Sequence, residues 1–244
     1  MVSKGRIAVI PARLGSKRIP SKNTVDFCGK PMIAWTIEAA LASGEFERVF
    51  VSTDDARAAE IAARCGVPVP FLRERATDDL SPVSAATLEA LSQIRSREDR
   101  VYDEVAQLMP NCPLRSAATI ASACRSFSGS GAKLQVSCFK FGWMNPWWAI
   151  RMAGDGRGRF LFPDALQKRS QDQEALYCPT GAIWIAKTAA LEAAGTFHTK
   201  ETAFFQVDWK EAVDIDDLAD LEMAESVFEM MRRSVLRPAD VGGR

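Results

Sequence analysis

The feature that most constrains this chain is an alternation repeated along its length: an apolar run of strand length, a break, then a stretch with helical spacing. "RIAVIPA" (6–12) is a continuous apolar run, and "PMIAWTIEAALASG" (31–44) follows with Ile33, Ile37, Ala40 and Leu41 at helical spacing, Pro31 near its start and Gly44 after its end. "RVFVSTD" reads as a second strand and "DDARAAEIAARCG" as a second helix, capped by Asp54 or Asp55 and stopped at Gly66. "VPVPFLR" is a short strand or extended segment, and "SPVSAATLEALSQIRS" a helix with Ser81 as N-cap and Pro82 at its first position. "EVAQLMP", "SAATIASACRSF", "KLQVSCFKF" and "GAIWIAKTAAL" continue the pattern, and "DLADLEMAESVFEMMRR" closes it as an amphipathic helix. Strand and helix units joined this way predict an α/β fold, doubly wound around a mostly parallel sheet covered on both faces.

The pattern degrades between about residues 140 and 180, where Trp, Gly and Pro collect in "FGWMNPWWAIRMAGDGRGRFLFPDALQKRSQDQEALYCPT". This segment is expected to be a hairpin-and-loop insertion on the sheet. One main domain over residues 1–234 is expected, with 235–244 as a flexible tail. No repeat, low-complexity segment or linker divides the chain.

Charge then narrows the function. The chain of 244 residues has 31 basic and 31 acidic side chains, so no overall field favours nucleic acid or an anionic membrane. No apolar stretch approaches a membrane span and the opening residues do not read as a secretory signal, so a cytoplasmic location is expected. Six cysteines without a CxxC pair read as reduced core thiols. The single histidine, His198, lies in a polar stretch expected to be a loop, which points to catalysis by charge and metal rather than imidazole.

Against that neutral background, "PARLGSKRIPSKN" (11–23) concentrates Arg13, Lys17, Arg18 and Lys22 directly after the first strand. Ligands of open α/β sheets settle where loops leave the carboxyl ends of strands. Gly15 allows a sharp turn and close backbone approach, Ser16 offers a hydroxyl and an amide, and Arg13 with Lys22 can bracket a polyphosphate. The alternative is a solvated basic loop. A P-loop is excluded because its first glycine would fall on Ile10, and no GxGxxG occurs.

"IAVIPARLGSKRIPSKN" and "GKPMIAWTIEAALASGEFERVFVSTDD", with "LMPNCPLR" (108–115), "PTGAIWI" (179–185) and "VDIDDLADLEMAE" (213–225), resemble the acylneuraminate cytidylyltransferase family, which includes bacterial pseudaminic and legionaminic acid enzymes. The resemblance implies a Rossmann-like nucleotidyltransferase fold and transfer of CMP from CTP to the anomeric hydroxyl of a nine-carbon ulosonic acid, with release of pyrophosphate. It places Ala12, Arg13, Gly15, Ser16, Lys17, Asn23, Arg73 and the neighbourhood of Ser81 around CTP. Arg73 and Ser81 also have plain readings, as a surface charge and a helix cap. CMP-Kdo synthetases share the "PAR…S.R.P.K" frame but typically carry proline after the lysine; here Asn23 follows Lys22.

"VDIDDLADLE" sets Asp214 and Asp216 two residues apart, on one face if the segment is extended. Paired carboxylates suit Mg²⁺, a hard cation that bridges protein oxygens to phosphates. One of Asp214, Asp216 and Asp217, with Asp216 and Asp217 favoured, is also expected to cap the last helix. The family motif makes Asp214 and Asp216 the metal pair, with Arg13, Lys22 and Asp214 as the catalytic groups.

For the acceptor, Arg169, Gln171 and Tyr177 are candidates to bind carboxylate, hydroxyl or acyl groups, with Thr180 beside them. The chain departs from the family pattern here: Met109 and Asn111 replace the glutamine and threonine of "LQPTSPLR", and Cys178 and Thr180 stand near the "GAIY" strand where a basic residue and asparagine are usual. "RSQD" resembles the pseudaminic type and "PTGAIWI" the sialic type. Trp147 and Trp148 read either as an apolar wall for an acyl or methyl group, or as packing or a dimer contact. Family members dimerise through the inserted region, which implies a homodimer. The competing readings are a Kdo-type cytidylyltransferase and a catalytically silent nucleotide-binding homologue.

Overall fold

A computed structural model describes residues 5–76 and 81–236. Its first strand, β1 (Arg6–Ala12), explains its own composition. Ile7 and Val9 point into one apolar layer with Phe50, Leu91 and Ile94, while Ala8, Ile10 and Ala12 point into another with Ile33, Ile37, Ile61 and Ile120. A strand buried on both faces needs apolar residues at every position.

A two-residue hairpin, β2 (Asp26–Phe27) and β3 (Lys30–Pro31), leads into α1 (Met32–Ser43), which ends at Gly44 with φ 66°. Ala40 of α1 is buried, whereas Leu41, expected on the core face, is 46% exposed. Next come β4 (Arg48–Thr53) and α2 (Ala56–Arg64), whose cap is Asp55, accepting from Arg57 N at 2.9 Å. "VPVPFLR" forms no strand: Pro68 and Pro70 carry no N–H to donate, and the segment is tied down where Arg73 N donates to Thr53 O at 2.7 Å. The following helix, α3 (Val83–Glu98), starts later than expected, with Pro82 at the cap position and Ser81 before it.

β5 (Glu104–Gln107), α4 (Ala117–Ser130, capped by Ser116) and β6 (Leu134–Lys140) follow the anticipated order. The stretch from 141 to 176 holds a small hairpin, β7 (Ile150–Met152) with β8 (Gly158–Phe160), and single 3₁₀ turns. β9 (Tyr177–Lys187) precedes α5 (Thr188–Ala194). A strand that periodicity did not reveal, β10 (Ala203–Gln206), comes before α6 (Leu218–Leu236). The helix thus runs to Leu236, two residues into the 235–244 stretch expected as a tail; residues 237–244 lie outside the described residues.

The sheet order is β10-β6-β9-β5-β1-β4. β1 pairs in parallel with β4 and β5, β10 in parallel with β6, and β9 antiparallel with β5 and β6. This is the mostly parallel α/β sheet the sequence predicts, with β9 reversed. A third apolar cluster, with Ile19, Phe27, Leu114, Val213, Ile215 and Val227, sits beyond the carboxyl edge and braces the segments that carry the site. His198 is exposed and meets Trp184 edge-on at 4.7 Å. Cys112, Cys124 and Cys138 are buried; Cys28, Cys65 and Cys178 are half-buried. No helix among the described residues is long and apolar enough to cross a membrane.

Candidate active site

Because β1, β4 and β5 are parallel, the loops leaving them crowd onto one edge. Segment 212–217, ahead of α6, closes the same edge from the far end of the chain. Between them opens a cleft of about 450 Å³.

The basic loop is held open by its own polar contacts. Asn23 Nδ2 donates to Arg13 O at 2.9 Å, and Leu14 N donates to Asp54 Oδ1 at 2.8 Å. Ile19 is buried and pins the middle of the loop. The sharp turn expected of Gly15 belongs instead to Ser21, whose φ is 53°. Gly15 contributes space: a Cβ there would meet nothing within 4 Å, which leaves room for a ligand against the backbone. Arg13, Gly15, Ser16, Lys17, Lys22 and Asn23 all line the cleft.

Opposite them, Ile215 is fully buried and its N–H donates to Asn111 O at 2.9 Å. The flanking Asp214 and Asp216 therefore project together into the cleft. Capping falls to Asp217: its Oδ1 accepts from Asp220 N at 3.0 Å, while Asp220 Oδ2 accepts from the N–H groups of Asp216 and Asp217 at 2.9 and 3.0 Å. This reciprocal box satisfies the helix start and leaves Asp216 for the cleft. Asp216 Oδ1 accepts from Lys22 Nζ at 2.8 Å, and its Oδ2 from Arg18 Nη2 at 2.6 Å. Lys22 also donates to Ile215 O at 2.8 Å, which joins residues 193 apart in sequence.

Asp214 accepts from Asn111 Nδ2. Its side chain opens onto the cleft, yet the walls around it remove enough water that its acid is pushed up to about 6, first by that desolvation and then by the charge of Asp216. Asp216, although burial opposes it, is held below the ordinary carboxylate value by hydrogen bonds and charge from Lys22 and Arg18. Two neighbouring carboxylates thus differ in their affinity for a proton. Both offer hard oxygen donors into the cleft, so the pair fits Mg²⁺ chemistry.

The loop carrying Asn111 is fixed by Arg115, which is 3% exposed. Arg115 donates to Thr36 Oγ1 at 2.8 Å, to Met109 O at 3.3 Å and to Ala182 O, and burial lowers its pKa to about 10. Arg73, read in sequence as a surface charge or a nucleotide ligand, is 4% exposed at the cleft wall. It donates to Ser52 O at 2.9 Å and lies 4.0 Å from Asp54 Oδ1; burial lowers its pKa, with the charge of Asp54 opposing and that of Arg13 adding to the effect. Ser81 lines the same wall beside Pro82 and Val83.

Other candidates fall elsewhere. Ala12 is buried in β1 behind the cleft. Arg169, Gln171 and Tyr177 are exposed on the segment between β6 and β9 or at the start of β9, and none lines the cleft. Thr180 is buried: its hydroxyl donates to Ala212 O at 3.1 Å, so it braces the backbone ahead of Asp214 instead of facing a sugar. Met109 lines the cleft next to Gly181, where a Cβ would come 3.1 Å from Met109 Cγ and 3.8 Å from Asp214 Oδ2. The residues that sequence reasoning passed over are Arg18, Asn111, Asp54 and Arg115. Arg18 had a signal, its place in the basic cluster; Asn111 had registered merely as a departure from a motif.

A doubly wound sheet that carries a basic first loop opposite paired carboxylates defines the class of the α/β nucleotidyltransferases. Residues 7–141 match the family described as cytidylyltransferase. Over 229 residues the chain is 30% identical to pseudaminic acid cytidylyltransferase of Campylobacter jejuni subsp. jejuni serotype O:23/36, covering 93% of this chain and 98% of that one. It is 32% identical over 234 residues to CMP-N,N'-diacetyllegionaminic acid synthase of Legionella pneumophila subsp. pneumophila, covering 94% and 99%. Among solved structures, CMP:2-keto-3-deoxy-manno-octonic acid synthetase complexed with CTP superposes with a TM-score of 0.69 at 17% identity, covering 93% of this chain and 99% of that one, a likeness of fold alone. The chain belongs to the cytidylyltransferase family and is a CTP-dependent nucleotidyltransferase.

Proposed function

We propose that this enzyme transfers the cytidylyl group of CTP to the anomeric hydroxyl of an acidic, sialic-acid-like nine-carbon sugar and releases pyrophosphate. The observation that carries the proposal is the opposition, across one cleft, of Arg13, Lys17 and Lys22 to Asp214 and Asp216. The similarity to pseudaminic and legionaminic acid enzymes over nearly the whole chain supports the acceptor class.

In this reading the basic loop grips the triphosphate and the sugar oxygen attacks the α-phosphorus in line. The new O–P bond forms as the bond to the β-phosphate oxygen breaks, and the hydroxyl proton passes to solvent. Arg13 and Lys22 stabilise charge developing on the phosphates and the departing pyrophosphate. Asp214 and Asp216 would hold Mg²⁺, which supplies Lewis-acid polarisation of the phosphoryl oxygens. Asn111 keeps Asp214 oriented toward the cleft.

The segment between β6 and β9 exposes Trp143, Met144, Ile150, Met152, Phe160 and Leu161, an apolar surface suited to a second copy of the chain, which supports a homodimer. A cytoplasmic location, with access to CTP, fits this reading.

The test is pyrophosphate release from CTP and Mg²⁺ with N-acetylneuraminic, legionaminic, pseudaminic and Kdo acids as acceptors. Turnover is expected with at least one of the three nine-carbon acids. Turnover with Kdo alone rejects the acceptor class; CTP binding without any turnover favours a silent nucleotide-binding protein.

A further inference from the structure

Two cationic side chains face Asp216. Asp216 Oδ1 is taken by Lys22 and Oδ2 by Arg18, at 2.8 and 2.6 Å. The two donors differ in kind. The Lys22 side chain is 15% exposed and anchored by a further bond to Ile215 O, so it is part of the framework. The Arg18 side chain is 59% exposed, and Asp216 is the partner that holds it. Exposed pairs of this sort are individually weak.

We infer that Arg18 is a positioning residue that occupies Asp216 while the cleft lacks nucleotide and moves to the triphosphate when nucleotide enters, opening Asp216 Oδ2 to the metal ion. The inference rests on the cytidylyltransferase reading with Asp214 and Asp216 as the metal pair. Three physical facts support it. An oxygen committed to a guanidinium at 2.6 Å is a poor ligand for a second cation. A triphosphate carries more negative charge than one carboxylate and matches the planar guanidinium fork, so it competes well for Arg18. Arg18 already lines the cleft with Lys17 and Lys22, so the transfer needs a side-chain rotation and no movement of the fold.

Binding energies are reciprocal, so nucleotide must raise metal affinity by the factor by which metal raises nucleotide affinity. An empty site thereby holds a metal ion a few-fold less tightly, and nucleotide entry favours the ion. Arg18 acts here as a counter-ion exchanged between two anions.

The test uses the full-length protein as wild type, Arg18→Gln and Asp216→Asn. Binding of Mn²⁺, as a paramagnetic stand-in for Mg²⁺, is measured without nucleotide by loss of the free-ion resonance signal, and CTP binding in Mg²⁺ by calorimetry. Removing an exposed ion-pair partner of Asp216 is expected to tighten Mn²⁺ about 2- to 5-fold in Arg18→Gln. The same variant is expected to bind CTP more weakly by about 10-fold or more, because a charged hydrogen bond to phosphate is lost. Opposite shifts distinguish the exchange from simple disorder of the loop, which weakens both ligands. Unchanged or weaker Mn²⁺ binding in Arg18→Gln, or unchanged CTP binding, overturns the inference while leaving the metal pair intact, provided Asp216→Asn weakens Mn²⁺. Mn²⁺ binding indifferent to Asp216→Asn overturns the metal pair and the inference together.

Discussion

At the amino-terminal edge of the sheet, Arg6 of β1, Glu104 of β5 and Lys187 of β9 stand side by side. Arg6 donates to Glu104 at 2.8 Å, to Glu45 at 3.3 Å and to Ser128 at 2.9 Å, and Lys187 donates to the other oxygen of Glu104. At the carboxyl edge the same residue types occur, but the grouping is different. Asp216 is shared by two cations, while Asp214 accepts from the Asn111 amide. Burial pushes Glu104 up, yet its hydrogen bonds from Lys187 and Arg6 outweigh this and hold it low; Asp214 is left high, at about 6. A charge cluster that stabilises a fold closes on itself, whereas one that binds a ligand stays incomplete until the ligand arrives.

The comparison is most exposed to failure at Lys22. Lys22→Met is expected to lower the cytidylyl transfer rate by about 10²–10³, as for loss of a single electrostatic contact in other enzymes. Its thermal midpoint should move by less than about 4 °C. A large loss of stability with normal turnover of the folded fraction would make this cluster structural, like the other.

Glu104→Gln should show the converse, a loss of about 3 kcal/mol in chemical denaturation with unchanged kcat, because Arg6 and Lys187 lose their shared counter-charge. The sign with pH follows from the lowered carboxyl. Glu104 contributes stability that is complete above its ordinary value of 4.5 and is lost as pH falls through its folded value, so the gap between wild type and variant should close in acid.

For Asp214 the direction reverses. A carboxyl raised from 3.8 to about 6 costs stability as pH rises through that window. In metal-free protein Asp214→Asn should therefore be slightly more stable than wild type above pH 6, by under about 1 kcal/mol because the cleft admits solvent, and equal to it near pH 4. Turnover should nevertheless fall sharply. Parallel denaturation curves at the two pH values check this.

The smallest effect is expected at Gly181→Ala. Its Cβ would press on Met109 Cγ at 3.1 Å, and a flexible thioether can shift by rotation. A rise of about 2- to 5-fold in acceptor KM with CTP KM unchanged would show that Met109 faces the sugar end of the cleft. An effect on CTP KM instead would put the nucleotide there.

Much of this molecule was legible in its residues, and the reasons are local. β1 and β4 read clearly as strands because each is buried on two faces, and α2, α4 and α6 have side-chain caps next to them. β10 escaped because its four residues, "AFFQ", are exposed or half-buried and too few to show a period. Ser81 misled as a cap because Pro82 takes that position and α3 begins at Val83. Thr180 looked like a sugar ligand because sequence cannot say which side of β9 faces the cleft.

The sequence by itself determined the layered α/β architecture, the concentration of charge after β1 and the carboxylate pair ahead of α6, since all three are patterns among near neighbours. What the tertiary structure decided is which of those charges meet. The antiparallel insertion of β9, the burial of Ile215 and the Arg115 clamp bring Asp214 and Asp216 to Lys22 and Arg18 from the far end of the chain. Such pairings are set by packing between remote segments, and no periodicity along the chain encodes them.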